Sequence, residues 1–466
     1  MRKFIIPFTI CFMIAYVLPS IAQSSFSTSL HNTRNGKPTW YNSENGGFET
    51  LTNVPVEELG CVECHDANDA NGNPYPPTGY EPDCKDCHAT LTTNEVTQDD
   101  CLGCHSREAA IISKNIPDVH RDASTPLECF DCHKKDELHG DDGIEHGSMF
   151  DPGAIQTDCQ QTGCHESVPA NSEHNQHLSN IHCTSCHAST NLTCYNCHFE
   201  SQVQAHVKRA FTQLTNFIIL VNREKDGKVH PATFQSLSYE GNTWIAMGPS
   251  VAHTITKDNA RTCSDCHANF GGNIPAITQY NTGNGIKFAT WNASDSTLTA
   301  LTGVIPLPID YRYAFNMDFI TYNGDPNDPP GPSKNWSYVK DDVDGFQLLY
   351  ATPLTKYQMA KIGMDTLVVS VEKQINAIPD KFRLEQNYPN PFNPTTTIRF
   401  SLPLRTEMEL VVYDQLGKQI RTLISGDHEA GTYEIDFDAT GLASGVYFYQ
   451  IKSASYSETR KLVLMK

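Results

Sequence analysis

The chain has 466 residues, enough for two or three domains, and a net charge of −20. That charge excludes nucleic acid and anionic membrane surfaces as partners, because both would be repelled. Only 39% of residues are apolar, against roughly 45–50% in globular domains, and 29 glycines and 27 prolines point to much loop, so part of the interior has to come from something other than side chains.

The first residues read MRKFIIPFTICFMIAYVLPSIAQSS. Arg2 and Lys3 are basic, an apolar run extends from Phe4 to Leu18, and Ser20-Ile21-Ala22 is a small-x-small cleavage signal before Gln23. The expectation is a secretory signal peptide over residues 1–22, which takes Cys11 with it. Its apolar run is short for a spanning helix of about 20 residues. No later stretch is long and apolar enough to span a membrane, so the mature chain is expected to have no transmembrane segment. It passes through the periplasm, an oxidising compartment.

Removing Cys11 leaves sixteen of the 17 cysteines, and all fall into pairs followed by a histidine. They are Cys61, Cys64 and His65; Cys84, Cys87 and His88; Cys101, Cys104 and His105; and Cys129, Cys132 and His133. Then come Cys159, Cys164 and His165; Cys183, Cys186 and His187; Cys194, Cys197 and His198; and Cys263, Cys266 and His267. A disulfide framework has no use for the histidine, and zinc would need four ligands from triplets that combine awkwardly. In a helical turn, positions i, i+3 and i+4 share one face, so two sulfurs and one imidazole converge on one flat object. Haem c meets that geometry: two thioethers tether it and the histidine binds its iron. The reading is therefore eight covalent haems.

Two motifs stand apart. In CQQTGCH, Cys159 and Cys164 are five positions apart, which one regular turn cannot align, so the two extra residues have to bulge outward. In CTSCHASTNLTCYNCH, residues 183–198, only six residues separate His187 from Cys194, and the sixth and seventh sites are expected to be neighbours.

Each iron needs a second axial ligand. Of 19 histidines, eight are proximal and His428 lies far away near the C-terminus. Ten distal candidates remain: His31, His120, His139, His146, His174, His177, His182, His206, His230 and His253. His174 and His177 share a helical face in SEHNQH, His182 directly precedes Cys183, His206 follows the seventh motif, and His253 stands shortly before Cys263. These five rank first and His120 next. His31 lies in a segment with Trp40, Tyr41 and Phe48, which can cover a haem. Met149 and Met247 are alternatives that the surplus of histidine makes unnecessary.

First cysteines are spaced by 23, 17, 28, 30, 24, 11 and 69 residues, an irregularity that argues against a solenoid. Segments such as DANDANGNPYPPTGYEPD read as loops and short helices draped over porphyrins. Residues 199–262 include FIILVNREKDGKVHPATFQSLSY, a strand or short helix over the haem array. Residues 268–375 have neither Cys nor His and read as a haem-free covering layer or a separate β-rich binding domain. After a linker at 376–384, residues 385–466 alternate apolar and polar positions in MELVVYD, IRTLI, GTYEIDFD, GVYFYQIK and ETRKLVLMK, with glycines between. That pattern predicts a small β-sandwich.

The expected fold is thus a mostly irregular, short-helical multihaem cytochrome c domain organised around eight haems over residues 23–375, followed by an all-β Ig-like sandwich. The tail resembles the C-terminal sorting domain of the type IX secretion system, through Asn387-Tyr388-Pro389-Asn390-Pro391-Phe392-Asn393-Pro394, the run Gly441-Leu442-Ala443-Ser444-Gly445-Val446-Tyr447, and Lys461-Leu462-Val463. The resemblance implies passage through the outer membrane, removal of the tail and attachment at the cell surface or release. Through its eight attachment motifs the rest resembles multihaem c-type cytochromes, which tolerate a longer insert like that of the fifth motif.

Two functions follow. The first is a secreted or cell-surface electron carrier with mainly bis-histidine haems. Its partners would be the periplasmic haem-attachment machinery, the type IX secretion system and redox partner cytochromes or extracellular acceptors. A homo-polymer with haems continuous across copies belongs to this reading. The second is an octahaem oxidoreductase acting on a small nitrogen or sulfur compound at one five-coordinate haem, the fifth or the eighth. No CxxCK is present, which disfavours the lysine-ligated version, whereas the hydroxylamine-oxidising type keeps histidine and uses a cross-linked tyrosine.

Overall fold

The computed structural model describes residues 26–33, 40–41, 43, 46–54, 84–88, 95–283, 285–329, 334–366, 369–374, 381–428 and 430–465. The expected signal peptide, the first motif (Cys61, Cys64 and His65) and residues 376–380 of the expected linker lie outside the described residues. The chain divides into two compact units, Met1–Cys263 with Ala289–Ile305 and Met317–Thr352, and Ser264–Phe288 with Pro306–Asn316 and Pro353–Lys466.

In the first unit, residues 84–88 and 95–187 form short helical turns and helices joined by polar loops, as their composition predicts. The helices are Gln98–Cys104, Ser106–Ser113, Cys129–Cys132, Lys135–His139, Ser172–His177 and Cys183–His187. Local capping sets their ends. Thr97 and Asp100 close a capping box before the first, and the Asn171 side chain accepts the His174 amide at 2.7 Å. Gly140, at φ +68°, ends the Lys135–His139 helix. A Cβ there would stand 2.9 Å from the Ser29 backbone, so glycine also allows residues 28–33 to dock on that helix. Thr28 Oγ1 donates to Gly140 O at 3.2 Å across this contact.

From residue 193 strands predominate, and of strand or short helix for FIILVNREKDGKVHPATFQSLSY it is strands that form. Eight strands form one sheet: β1 Thr193–His198, β2 Ala210–Leu214, β3 Phe217–Arg223, β4 Val229–Tyr239, β5 Asn242–Pro249, β6 Gly303–Pro306, β7 Gly345–Leu348 and β8 Ala351–Thr352. The order is β7-β5-β4-β1-β2, while β3 pairs with β4, β6 and β8. FIILV in β3 is buried along its whole length, the mark of a strand covered on both faces. It turns through Glu224–Lys228 into β4, closed by Arg223 N–H to Lys228 O at 2.9 Å. Much of 268–375 is therefore not a separate layer: β6, β7 and β8 complete the sheet that contains β1. Trp291 and Trp336 of this stretch are buried, both edge-on to Phe211.

In the second unit, the tail forms two four-stranded antiparallel sheets. One runs in the order 369–374, 431–438, 395–402, 383–384, and the other 419–428, 406–413, 445–453, 457–464. Inward positions alternate as the sequence predicts: Ile398, Phe400 and Leu402; Met408, Leu410 and Val412; Tyr433, Ile435 and Phe437; Tyr447, Tyr449 and Ile451. The strand Val369–Gln374 lies before the expected linker yet pairs along Thr432–Phe437, and Arg383–Leu384, inside that linker, pairs with Phe400 and Ser401. The sandwich thus begins earlier in the chain than residue 385.

Candidate metal centres

The motifs are built locally. In the second to fifth, the histidine amide donates back to the carbonyl of the first cysteine: His88 to Cys84 at 2.9 Å, His105 to Cys101 at 3.0 Å, His133 to Cys129 at 3.0 Å and His165 to Cys159 at 3.1 Å. In the second to fourth this bond closes a helical turn, whose i, i+3 and i+4 positions share one face. The fifth motif keeps it by turning its two extra residues outward at Gly163, φ +86°. Cys183–His187 and Cys263–Cys266 are helical turns as well.

Five proximal histidines face a second histidine from elsewhere in the chain. Ring centres are 6.2 Å apart for His88 and His139, 6.2 Å for His105 and His31, 6.3 Å for His133 and His253, 6.1 Å for His165 and His120, and 6.2 Å for His187 and His174. An imidazole nitrogen lies about 1.1 Å from its ring centre and binds a metal at about 2.0–2.1 Å, so two rings on opposite sides of one ion have centres about 6.2–6.4 Å apart. All five separations fall at or within about 0.1 Å of that window. Direct ring stacking is closer, as in His182 and His230 at 4.1 Å.

Hydrogen bonds at Nδ1 leave Nε2 as the nitrogen that could take a metal. His187 Nδ1 donates to Thr256 O at 3.1 Å and His174 Nδ1 to Pro169 O at 2.8 Å. A carbonyl can only accept, so Nδ1 carries the proton in both. His267 does the same to Lys361 O at 2.8 Å. His133 Nδ1 meets Glu137 Oε1 at 2.6 Å, and Glu137 Oε2 accepts the Gln156 and Thr157 amides, each at 2.8 Å. Burial opposes ionisation of Glu137, but the His133 hydrogen bond and these amides outweigh it and hold the carboxyl at about 2. Burial, then the neighbouring His105, pushes His31 down and favours the neutral ring that ligates.

Asp118 anchors the fourth and fifth centres together. Its carboxylate accepts the amides of His120 at 2.9 Å, Arg121 at 3.2 Å and Ile255 at 2.7 Å, which ties the loop carrying His120 to the segment after His253. Burial raises the Asp118 carboxyl, yet the His120 ring and these amides hold it well below the usual carboxylate range. Asp118→Ala is expected to lose about 2–4 kcal/mol through the orphaned amides. Denaturant unfolding checks this, and Asp118→Asn should recover part of the loss.

Successive motifs also touch. The Cys129 thiol donates to Gln98 Oε1 at 3.8 Å, on the helix that carries the third motif. Thr157 Oγ1 donates to Cys132 O at 3.1 Å, and the Arg261 amide to Cys186 O at 3.0 Å. The second and third centres meet where residues 30–33, with His31, pack on 135–139, with His139. None of these contacts has a local signal in the sequence.

Among the described residues, five of the ten candidates are not seen across from a motif histidine. His182 caps the sixth helix, with Nδ1 2.8 Å from Thr184 Oγ1, and stacks on His230, which is held by Asp226 at 2.9 Å. His206 ends the helix Phe199–Ala205 with φ +56°. His146 is buried against Asp142, with Nε2 at 3.0 Å from Oδ2. His177 lies in the last turn of Ser172–His177. The seventh motif differs most. CYNCH lies in β1, not in a helical turn. Among the described residues, no group of three or more His, Cys, Asp or Glu stands ready to hold an ion by side chains alone.

In the tail, the NYPNPF segment is sewn to the final strand. Asn390 Nδ2 donates to Lys461 O at 3.2 Å and its Oδ1 accepts the Val463 amide at 2.9 Å. Phe392 N–H donates to Val463 O, and Met465 N–H to Phe392 O, both at 3.0 Å. Asn387 N–H donates to Tyr449 Oη at 2.8 Å. Residues 386–465 match the family described as the secretion system C-terminal sorting domain. The tail is a type IX sorting domain. Such a sorting domain implies export, then secretion or attachment to the cell surface. Among the described residues no helix is long and apolar enough to cross a membrane. No curated protein matches. Among solved structures, a similar chain is the cupredoxin domain of amoB from Nitrosocaldus yellowstonii, 16% identical over 16% of this chain and 55% of that one, with a TM-score of 0.09. The match spans about half the length of that relative.

Proposed function

We propose that this protein is a multihaem c-type electron carrier delivered outside the cell by its sorting domain. The observation that carries the reading is the set of five histidine pairs at 6.1–6.3 Å, each beside a pair of thiols. Two imidazoles on one axis give an ion only two donors. The other four positions are met by a planar tetradentate macrocycle, and the thiols are placed to tether it. Haem c, when bound, supplies a one-electron ferric–ferrous couple.

The chain's own residues do the rest. The paired imidazoles would hold the haem iron from both sides and would leave these five centres no place for substrate at the metal. Carbonyl and carboxylate partners at Nδ1 fix ring orientation and make Nε2 more basic. Contacts between successive motifs keep the centres adjacent, which suits transfer from one to the next. Acceptors outside the cell, partner cytochromes and further copies of this chain are the partners this reading supplies, and the periplasmic haem-attachment machinery acts before export.

The purified protein is expected to show a Soret band, an intact mass increased by several haem groups, and dominantly low-spin ferric signals by electron paramagnetic resonance at low temperature. Absence of added mass and of Soret absorbance would refute the reading. A major high-spin ferric signal would favour the oxidoreductase instead.

A further inference from the structure

The seventh motif has the sequence of a haem site but not its geometry. In the second to fifth motifs the histidine amide turns back to the first cysteine, whereas the His198 amide donates across the sheet to Arg209 O at 2.7 Å. β1 is an interior strand, paired with β2 through Cys194↔Gln213 and Cys197↔Ala210, and with β4 through Cys197↔Leu237. Cys197 is 2% exposed and lies among Phe48, Phe199, Leu237, Trp244 and Ala246. His198 lies in a different cluster, with Tyr322 and Trp336 ring centres 5.9 and 6.2 Å away. Its Nδ1 is enclosed by Thr321 Oγ1 at 3.0 Å, the Tyr322 amide at 3.2 Å and Glu200 Oε2 at 2.9 Å. A tetrapyrrole bonded to both sulfurs and to this imidazole would need Cys197 and His198 on one open side, which means breaking the ladder at the middle of the sheet.

We propose that CYNCH is a structural strand that carries no haem. This rests on the haem reading above.

The test is peptide mapping of the purified holo-protein by mass spectrometry, after alkylation of free thiols under denaturing conditions. The expected result is haem mass on peptides containing Cys84/Cys87, Cys101/Cys104, Cys129/Cys132, Cys159/Cys164 and Cys183/Cys186, with Cys194 and Cys197 alkylated. Haem mass on Cys194 and Cys197 overturns the inference and leaves the proposed function standing. No haem on any motif overturns both. As a second measurement, the double variant Cys194→Ala with Cys197→Ala is expected to keep the iron-to-protein ratio of the parent, and loss of one equivalent overturns the inference.

Discussion

Replacing His174 by alanine is expected to convert one low-spin centre to high spin and leave the others unchanged. His174 faces His187 at 6.2 Å and is held by Pro169 O through Nδ1. It stands on the short surface helix Ser172–His177 and is half-buried, so its removal should alter stability by no more than about 0.5 kcal/mol. Ligation and folding are thus separable at this position. Added imidazole should restore the low-spin signal by occupying the vacated position. His174→Met should keep a six-coordinate centre and raise its potential by something on the order of 0.1 V, within the roughly 0.8 V that axial ligands span. His206→Ala is the control and should change neither signal nor potential. An unchanged spectrum in His174→Ala would remove His174 from the ligand set and weaken the distance argument for the other four pairs.

What the sequence made legible follows from how local each feature is. The attachment motifs need only three residues within one turn, so spacing identifies them. The sandwich strands alternate strictly, as in Tyr433, Ile435 and Phe437, and the alternation survives as a pattern. Distal pairing is not local. His133 and His253 are brought together by Asp118 and the Ile255 amide, and His105 is met by His31 only because Gly140 lets the N-terminal segment dock. Sequence proximity was a poor guide here: His182, next to Cys183, stacks on His230, while distant His139 faces His88. The central sheet was hidden for a different reason. Its first strand is spelled CYNCH, a pattern that a local reading gives to a helical turn. Only the pairing with Ala210–Leu214 and Val229–Tyr239 overrides it. β3 was more readable, since an apolar run of FIILV suits a strand covered on both faces.

Removal of residues 386–466 is expected to abolish delivery beyond the outer membrane and leave the protein in the periplasm. The sorting domain is one folded object whose first and last segments are interlocked, because Asn390 bonds both Lys461 O and the Val463 amide. Gln386 Nε2 adds a bond to Lys461 O at 2.7 Å, and Phe392 N–H a bond to Val463 O at 3.0 Å. Asn390→Ala removes two of these bonds and should destabilise the sandwich by about 1–2 kcal/mol, with partial retention as the consequence. Fractionation followed by immunoblotting of periplasm, cell surface and medium reads both variants. The expected ranking is parent, then Asn390→Ala, then truncation, in decreasing amount outside the cell. Haem absorbance per chain should stay the same in all three, because the histidine pairs lie between residues 31 and 253. Normal export of the truncated chain would show that the sorting signal lies elsewhere. Loss of haem absorbance on truncation would instead tie the sandwich to the integrity of the metal centres.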